Sequence, residues 1–310
     1  MISKFILGGV QFGVDYGITN ASGQVTKREL ELILSAASEV GVTVIDTARA
    51  YGNSEEAIGQ VLSKTGGHEK FTIITKIPEL SELSSENFFE AGVHLAIDGH
   101  ISDSKEALRR RTLDAVLLHR ASYLEQGNGV VWNRLKQLQL TGVLGVIGVS
   151  IQNFEELLLA LENPNVEIIQ LPVNILDSRW DEARILIKQI KEKRNLQIHA
   201  RSVFLQGLLL SNDPGLWQKA NVSDCSDVTS WLESVKISSQ CQTMRELCLK
   251  YVASMDWIDG IVVGVNSLDQ LLQNIEALKG EPFGPVVYDQ INSSRPKVEQ
   301  STLNPALWKV

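Results

Sequence analysis

The chain has 310 residues, 44% of them hydrophobic and 21% charged, close to the globular average, so a disordered or fibrous protein is excluded. Lys and Arg total 29 against 37 Asp and Glu, a net charge of −8, which argues against a dedicated binder of nucleic acid or anionic membrane. Cys225, Cys241 and Cys248 are an odd set without metal-ligand spacing, pointing to a reducing compartment. No apolar run approaches the ~20 residues of a membrane span, and MISKFILGGVQFG has no signal-peptide core, so a soluble, cytoplasmic protein is expected.

Short Val/Ile-rich runs alternate with amphipathic segments along the chain. The runs are FILGG (5–9), VTVID (42–46), FTIITK (71–76), LDAVLLH (113–119), VLGVIGVS (143–150), VEIIQL (166–171), LQIHA (196–200) and GIVVG (260–264). Their length and continuous apolarity predict strands buried on two faces, as in a parallel sheet. Helices are predicted over 27–40, with Thr26 as N-cap, from Asn53 or Ser54 onward, and over 86–110, 130–140, 153–161, 181–194 and 267–278. Eight strand–helix pairs suggest a (β/α)8 TIM barrel or a doubly wound sheet; no GxGxxG follows the first strand, which favours the barrel. The expectation is a single-domain α/β fold, with residues 1–279 as barrel and 280–310 as an extension packing on it. Residues 205–240 are expected to form a long loop, a lid or pocket wall or else a surface elaboration.

Polar residues close several runs at their C-terminal ends: Asp46, Lys76, His119, Ser150 and Gln170. A parallel barrel brings such positions to one rim. A lysine ending FTIIT needs a counter-charge there, and Asp46 is available. Tyr51 follows Asp46 by five residues. An ammonium beside a phenol favours the phenolate, so a tyrosine so placed can donate a proton to a developing alkoxide. A nearby histidine can hydrogen-bond a substrate carbonyl.

DTARAYGNSEEAIG, TK at 75–76 and LLH at 117–119 resemble the signature of the aldo-keto reductase family, in the group with a QFGxxYG opening. The resemblance runs from about Phe5 to Leu278. It implies a (β/α)8 barrel with Asp46, Tyr51, Lys76 and His119 as a catalytic tetrad. It further implies that Ser150 and Gln170 face a nicotinamide carboxamide, with Ile151 where Asn is frequent. Arg201 stands where an aromatic commonly stacks on the nicotinamide, and its charge disfavours the oxidised, cationic cofactor. Ser202 and Phe204 match pyrophosphate contacts; Gly264, Ser267, Gln270 and Asn274 match the grip on the adenosine. Ser267 is equally a good N-cap. Asn266 and Gln270 occupy places where Arg is frequent, which leaves NADH open because a ribose phosphate wants a cationic partner; the resemblance by itself implies NADP as the cofactor.

Gln11, Phe12 and Tyr16 either line the substrate pocket or pack the barrel mouth, and Trp180, Trp217 and Trp231 either wall a pocket or anchor loops. The leading expectation is an NAD(P)H-dependent reductase of a small-molecule aldehyde or ketone, with Tyr51 as proton donor. The alternative is a cofactor-binding regulatory or interaction subunit with little catalysis. A metal-dependent hydrolase using Asp46, His119 and His199 lacks HxH or HExxH spacing, so no metal is expected.

Overall fold

The computed structural model describes residues 1–80 and 89–309. Eight parallel strands close into a barrel in chain order: β1 (Phe5–Gly8), β2 (Val44–Asp46), β3 (Thr72–Ile77), β4 (Leu113–Leu118), β5 (Leu144–Ser150), β6 (Ile168–Pro172), β7 (Gln197–Arg201) and β8 (Gly260–Gly264). Every predicted run contains a strand, with edges moved by one or two residues. His119 falls just past β4 and so opens a loop. The helices are α1 (Val10–Gly13), α2 (Lys27–Glu39), α3 (Ser54–Thr65), α4 (Glu90–Leu108), α5 (Gln126–Leu140), α6 (Phe154–Glu162), α7 (Ala183–Lys191), α8 (Pro214–Lys219), α9 (Ser226–Ser238), α10 (Met244–Ala253), α11 (Leu268–Ala277), α12 (Pro285–Ser294) and α13 (Gln300–Leu303). The start predicted at 86 for the fourth helix lies outside the described residues.

Two apolar layers explain why the strands read as continuous hydrophobic runs. Inside the barrel, Val44, Ile74, Ala115, Leu117, Val146 and Ile168 form one cluster. The opposite strand faces, including Ile45, Ile73, Val116, Ile147 and Ile169, merge with the helices into a larger core. Helix starts follow side-chain chemistry. Thr26 accepts from the Glu29 amide at 3.2 Å. Asn153 accepts from the Glu156 amide at 2.8 Å, and Glu156 accepts in return from the Gln152 amide at 2.5 Å.

Residues 205–240 are not one irregular loop. A 3-10 turn over Leu205–Leu210 is followed by α8 and α9. Asp213 caps α8 and Pro214 opens it, while Val228, Leu232 and Val235 form a buried stripe on α9. Trp217 is fully buried and donates to the Ser211 carbonyl at 2.9 Å, and Trp231 donates to Ser294 Oγ at 3.1 Å. Trp180 is likewise buried in the core. Trp180 and Trp217 anchor their segments by full burial of a large ring, and none of the three tryptophans borders the cavity at the barrel mouth. In the C-terminal segment Ile291, Leu303 and Trp308 are buried, and Tyr288 stacks on Tyr251 with ring centroids 5.3 Å apart. No described helix is long and apolar enough to cross a membrane.

One backbone contact sets the position of the β2–α3 turn. A Cβ placed on Gly13 lies 1.7 Å from the Tyr51 carbonyl oxygen and 2.5 Å from the Ser54 amide, and Gly52 has φ +55°. Only glycine lets α1 press so closely on this turn. Gly13→Ala is expected to lower stability by about 1–3 kcal/mol, measured by urea denaturation, and to displace Tyr51, read as a changed Tyr51 environment in NMR spectra. An unchanged midpoint together with unchanged spectra would contradict the contact.

Candidate active site

The strand register carries the polar residues to the C-terminal mouth. Gly8 is level with Asp46 and Gly264, and Ser150 with Gln170. They border a cavity of about 420 Å³ that also exposes Gln11, Tyr16, Tyr51, His119, Arg201, Ser202, Phe204, Arg245, Asn266 and Gln270. Asp46 and Lys76 form a buried ion pair at 2.7 Å. Lys76 Nζ also donates to the Thr47 carbonyl at 2.8 Å, and Gln170 Nε2 donates to the other Asp46 oxygen at 2.8 Å. Both charges are therefore hydrogen-bonded as well as paired, which a buried ion pair requires.

Tyr51 stands over this pair. Lys76 Nζ is 5.1 Å from the Tyr51 ring centroid, and the His119 ring meets the Tyr51 ring edge-on with centroids 5.9 Å apart. The turn bearing Tyr51 is tied down by buried polar groups. Ser54 Oγ donates to the Gly9 carbonyl at 2.7 Å and lies 2.8 Å from Thr47 Oγ1. Buried Glu55 accepts from Thr75 at 2.6 Å and pairs with Arg49 at 2.6 Å. Lys76 of β3 and His119 after β4, with Asp46 of β2 paired to Lys76, thus gather beside one phenol.

Burial works against charge on Lys76, but the Asp46 carboxylate outweighs it, so the ammonium holds its proton above the ordinary lysine value. His119 is pushed down to about 4, first by burial and then by the Lys76 and Arg201 charges. Its imidazole is neutral at pH 7. Burial raises the Tyr16 phenol, with Tyr51 adding to the effect. Burial also lowers Arg201, yet a guanidinium stays charged at any working pH. Arg201 donates to the Ile151 carbonyl at 3.1 Å and to Gln152 Oε1 at 2.8 Å. Neither Arg201 nor Arg245 is ion-paired among the described residues. Two uncompensated guanidinia in one cavity of an acidic protein suit a polyanion such as a dinucleotide.

Of the sequence-matched cofactor residues, Ser150, Gln170, Arg201, Ser202, Phe204, Gly264 and Gln270 border the cavity. Ser202, Leu205 and Gln206 adopt positive φ of 61°, 49° and 56°, a concentration of strained backbone in the turn after β7. Ser267 instead caps α11, accepting from the Gln270 amide at 3.2 Å. Asn274 is fully buried behind Arg245, whose Nη1 donates to its Oδ1 at 2.5 Å. Gln11 and Tyr16 border the cavity, whereas Phe12 is wholly in the core. Arg245 escaped sequence reading: it lies on the helix before β8, away from any strand end, and only helix packing brings it to the cavity. His199 is buried within the barrel, 3.2 Å from Gln197 Oε1. Among the described residues no His, Cys, Asp and Glu cluster forms a metal site.

A closed parallel barrel with ionisable groups at its C-terminal mouth is the architecture of a barrel enzyme. The chain belongs to the aldo/keto reductase family, whose sequence model matches residues 4–295, and it is accordingly an oxidoreductase. It is 21% identical over 253 residues to an uncharacterized oxidoreductase, YqkF, of Bacillus subtilis, covering 79% of this chain and 80% of that one. An aldo-keto reductase of Mycolicibacterium vanbaalenii is 26% identical over 208 residues, 65% of this chain and 67% of that one. In fold it resembles the holo form of the aldo-keto reductase AKR11C1 from Bacillus halodurans, with a TM-score of 0.74 at 20% identity over 96% and 95% of the two chains.

Acid sensitivity follows from the buried imidazoles. His119 and His199 are each lowered from 6.5 to about 4, burial being the first cause in each. The unfolded chain takes up these protons below pH 6.5 and the folded chain only near pH 4, so stability is full above 6.5 and falls as pH drops toward 4. Each histidine is expected to cost about 2 kcal/mol at pH 5 relative to pH 8. Urea denaturation of wild type and His199→Gln at the two pH values checks this. An equal pH loss in the two proteins would refute the His199 share.

Proposed function

We propose that the protein is an NAD(P)H-dependent reductase of a small-molecule aldehyde or ketone. The observation that carries this reading is the convergence of Tyr51, Lys76, Asp46 and His119 at the floor of a cavity with two unpaired arginines. A bound reduced nicotinamide supplies the hydride that the carbonyl carbon accepts. Tyr51 gives its phenolic proton to the carbonyl oxygen as negative charge develops there. Lys76, fixed by Asp46 and the Thr47 carbonyl, stabilises the phenolate left behind. Neutral His119 donates an N–H to the same oxygen and orients the carbonyl. Gln170 holds Asp46 through Nε2 and keeps its Oε1 to accept from the carboxamide. Ser150, Ser202, Phe204 and Gly264 contribute further to the cofactor's binding.

Tyr51→Phe is expected to lower carbonyl-dependent oxidation of NADPH by roughly 10²–10⁴-fold while cofactor affinity, read by fluorescence titration, stays the same. Turnover at the wild-type rate would reject the assigned role. Stable co-purification of wild type with a partner, and cofactor binding without activity on a broad carbonyl panel, would favour the cofactor-binding interaction-subunit alternative.

Reduction removes one positive charge from the nicotinamide, and Arg201 forms no ion pair among the described residues. The site is therefore expected to hold reduced cofactor roughly ten- to a hundredfold more tightly than oxidised. Arg201→Gln should narrow that ratio and Arg201→Lys should preserve it, measured as dissociation constants of NADPH and NADP+. An identical ratio in Arg201→Gln would show the charge to be without effect.

A further inference from the structure

Gln152 lies between two arginines. Its side-chain Oε1 accepts from Arg201 Nη2 at 2.8 Å, and its backbone carbonyl accepts from Arg179 Nη1 at 3.1 Å. The guanidinia are close enough for the Arg179 charge to oppose that of Arg201. Arg179 is neutralised, because its Nε and Nη2 donate to the two oxygens of buried Asp177 at 2.8 and 2.6 Å. Among the described residues Arg201 instead donates to neutral acceptors: Gln152 Oε1, the Ile151 carbonyl at 3.1 Å and Ser202 Oγ at 3.3 Å.

Gln152 is itself held from two sides. Its backbone N–H donates to Glu156 Oε2 at 2.5 Å, in the cap of α6, while Arg179 fixes its carbonyl. It stands two residues past the end of β5 and does not border the cavity, whereas Arg201, the last residue of β7, does. The Arg201 charge interacts with Tyr51, Tyr16 and His119, which sets it beside the reacting groups of the proposed mechanism. The side chain at 152 reaches those groups only through Arg201. Its chemical type is informative. Between two guanidinia stability favours a carboxylate, because charge-assisted hydrogen bonds are roughly twice as strong as neutral ones. An amide of the same length forgoes that gain, and departures from the most stabilising choice mark functional sites. What the amide achieves is direction without neutralisation: a long, flexible side chain is aimed, and its charge is left for the cavity.

We propose that Gln152 is a positioning residue, whose neutral acceptor holds the Arg201 guanidinium beside the reacting end of the cofactor without cancelling its charge. The proposal rests on the reading of Arg201 as the charge that opposes the oxidised nicotinamide. It adds the group that keeps that charge in place and unpaired.

Dissociation constants of NADPH and NADP+, with urea midpoints measured in parallel, test this in Gln152→Glu, Gln152→Met, Arg201→Gln and the double variant Gln152→Met/Arg201→Gln. Gln152→Glu keeps the shape and supplies a counter-charge. It is expected to narrow the ratio of the two constants roughly tenfold, with a midpoint equal to or above that of wild type. Gln152→Met keeps the length and removes the acceptor, and should narrow the ratio about threefold or more. In the Arg201→Gln background the same change should leave the ratio where it was, because the charge to be positioned is gone. An unchanged ratio in the two single Gln152 variants would overturn the proposal and leave the reductase reading intact. So would a Gln152→Met effect of equal size with and without Arg201, which a merely structural role predicts. A lower midpoint in Gln152→Glu would overturn it as well, since stability would then account for the amide. Equal affinity of wild type for the two cofactor forms would overturn the reading of Arg201 itself, and this proposal with it.

Discussion

A lysine ammonium and an aspartate carboxylate buried 2.7 Å apart at the barrel mouth set the terms for everything around them. Removing one partner of such a pair costs about 3–5 kcal/mol, because the survivor is left charged in a medium that solvates it poorly. The pair is tolerable here because its hydrogen-bonding capacity is used. The Thr47 carbonyl accepts a second hydrogen bond from Lys76, and Gln170 reaches across the barrel to donate to the second oxygen of Asp46. The Asp46–Gln170 bond joins residues 124 positions apart, so the charge arrangement exists only when the barrel is closed. On the proposed mechanism, folding and readiness for chemistry are then one event.

Tyr51 is held by different means. It sits in a turn, where backbone freedom is greatest, yet a phenol that must meet one oxygen atom has to be placed to within a fraction of an ångström. Two restraints supply that. The backbone of α1 presses on the turn at Gly13, and the Thr47–Ser54–Gly9 hydrogen bonds fasten the start of α3 to the end of β1. The Arg49–Glu55–Thr75 contacts add a link to β3. The rigid barrel thereby extends its order into the loop that carries the reactive group.

What was legible in the sequence is what short-range pattern controls. Continuous apolar runs marked the strands because a barrel strand is buried on two faces, and the polar residues closing several of the runs marked the rim because side chains there leave the apolar core. The 205–240 segment reads as a loop for a physical reason: α8 has six residues with one buried tryptophan, and α9, though 13 residues long, buries a stripe of only three, too little periodicity to stand out. Trp180 and Trp217 read equally as pocket wall or anchor, since an aromatic residue serves either, and burial alone separates them. Ser267 carried a cap signal and a cofactor match at once; the observed hydrogen bond satisfies the cap. Arg245 had no local signature at all, because its position depends on the packing of α10 beside α11.

Charge in the cavity ties these elements together. Arg201 and Lys76 are the positive neighbours that, after burial, keep His119 neutral down to about pH 4. A neutral imidazole is a hydrogen-bond donor but a poor acid, so on the proposed mechanism the proton of the reduction is left to Tyr51. On the proposed cofactor reading, the same Arg201 charge opposes the oxidised nicotinamide. One unpaired guanidinium therefore bears on the choice of proton donor and on the redox state of the cofactor, and no acidic residue could be placed beside it without weakening the two effects together. That is a physical reason for an acidic protein to leave an arginine uncompensated in the middle of its site.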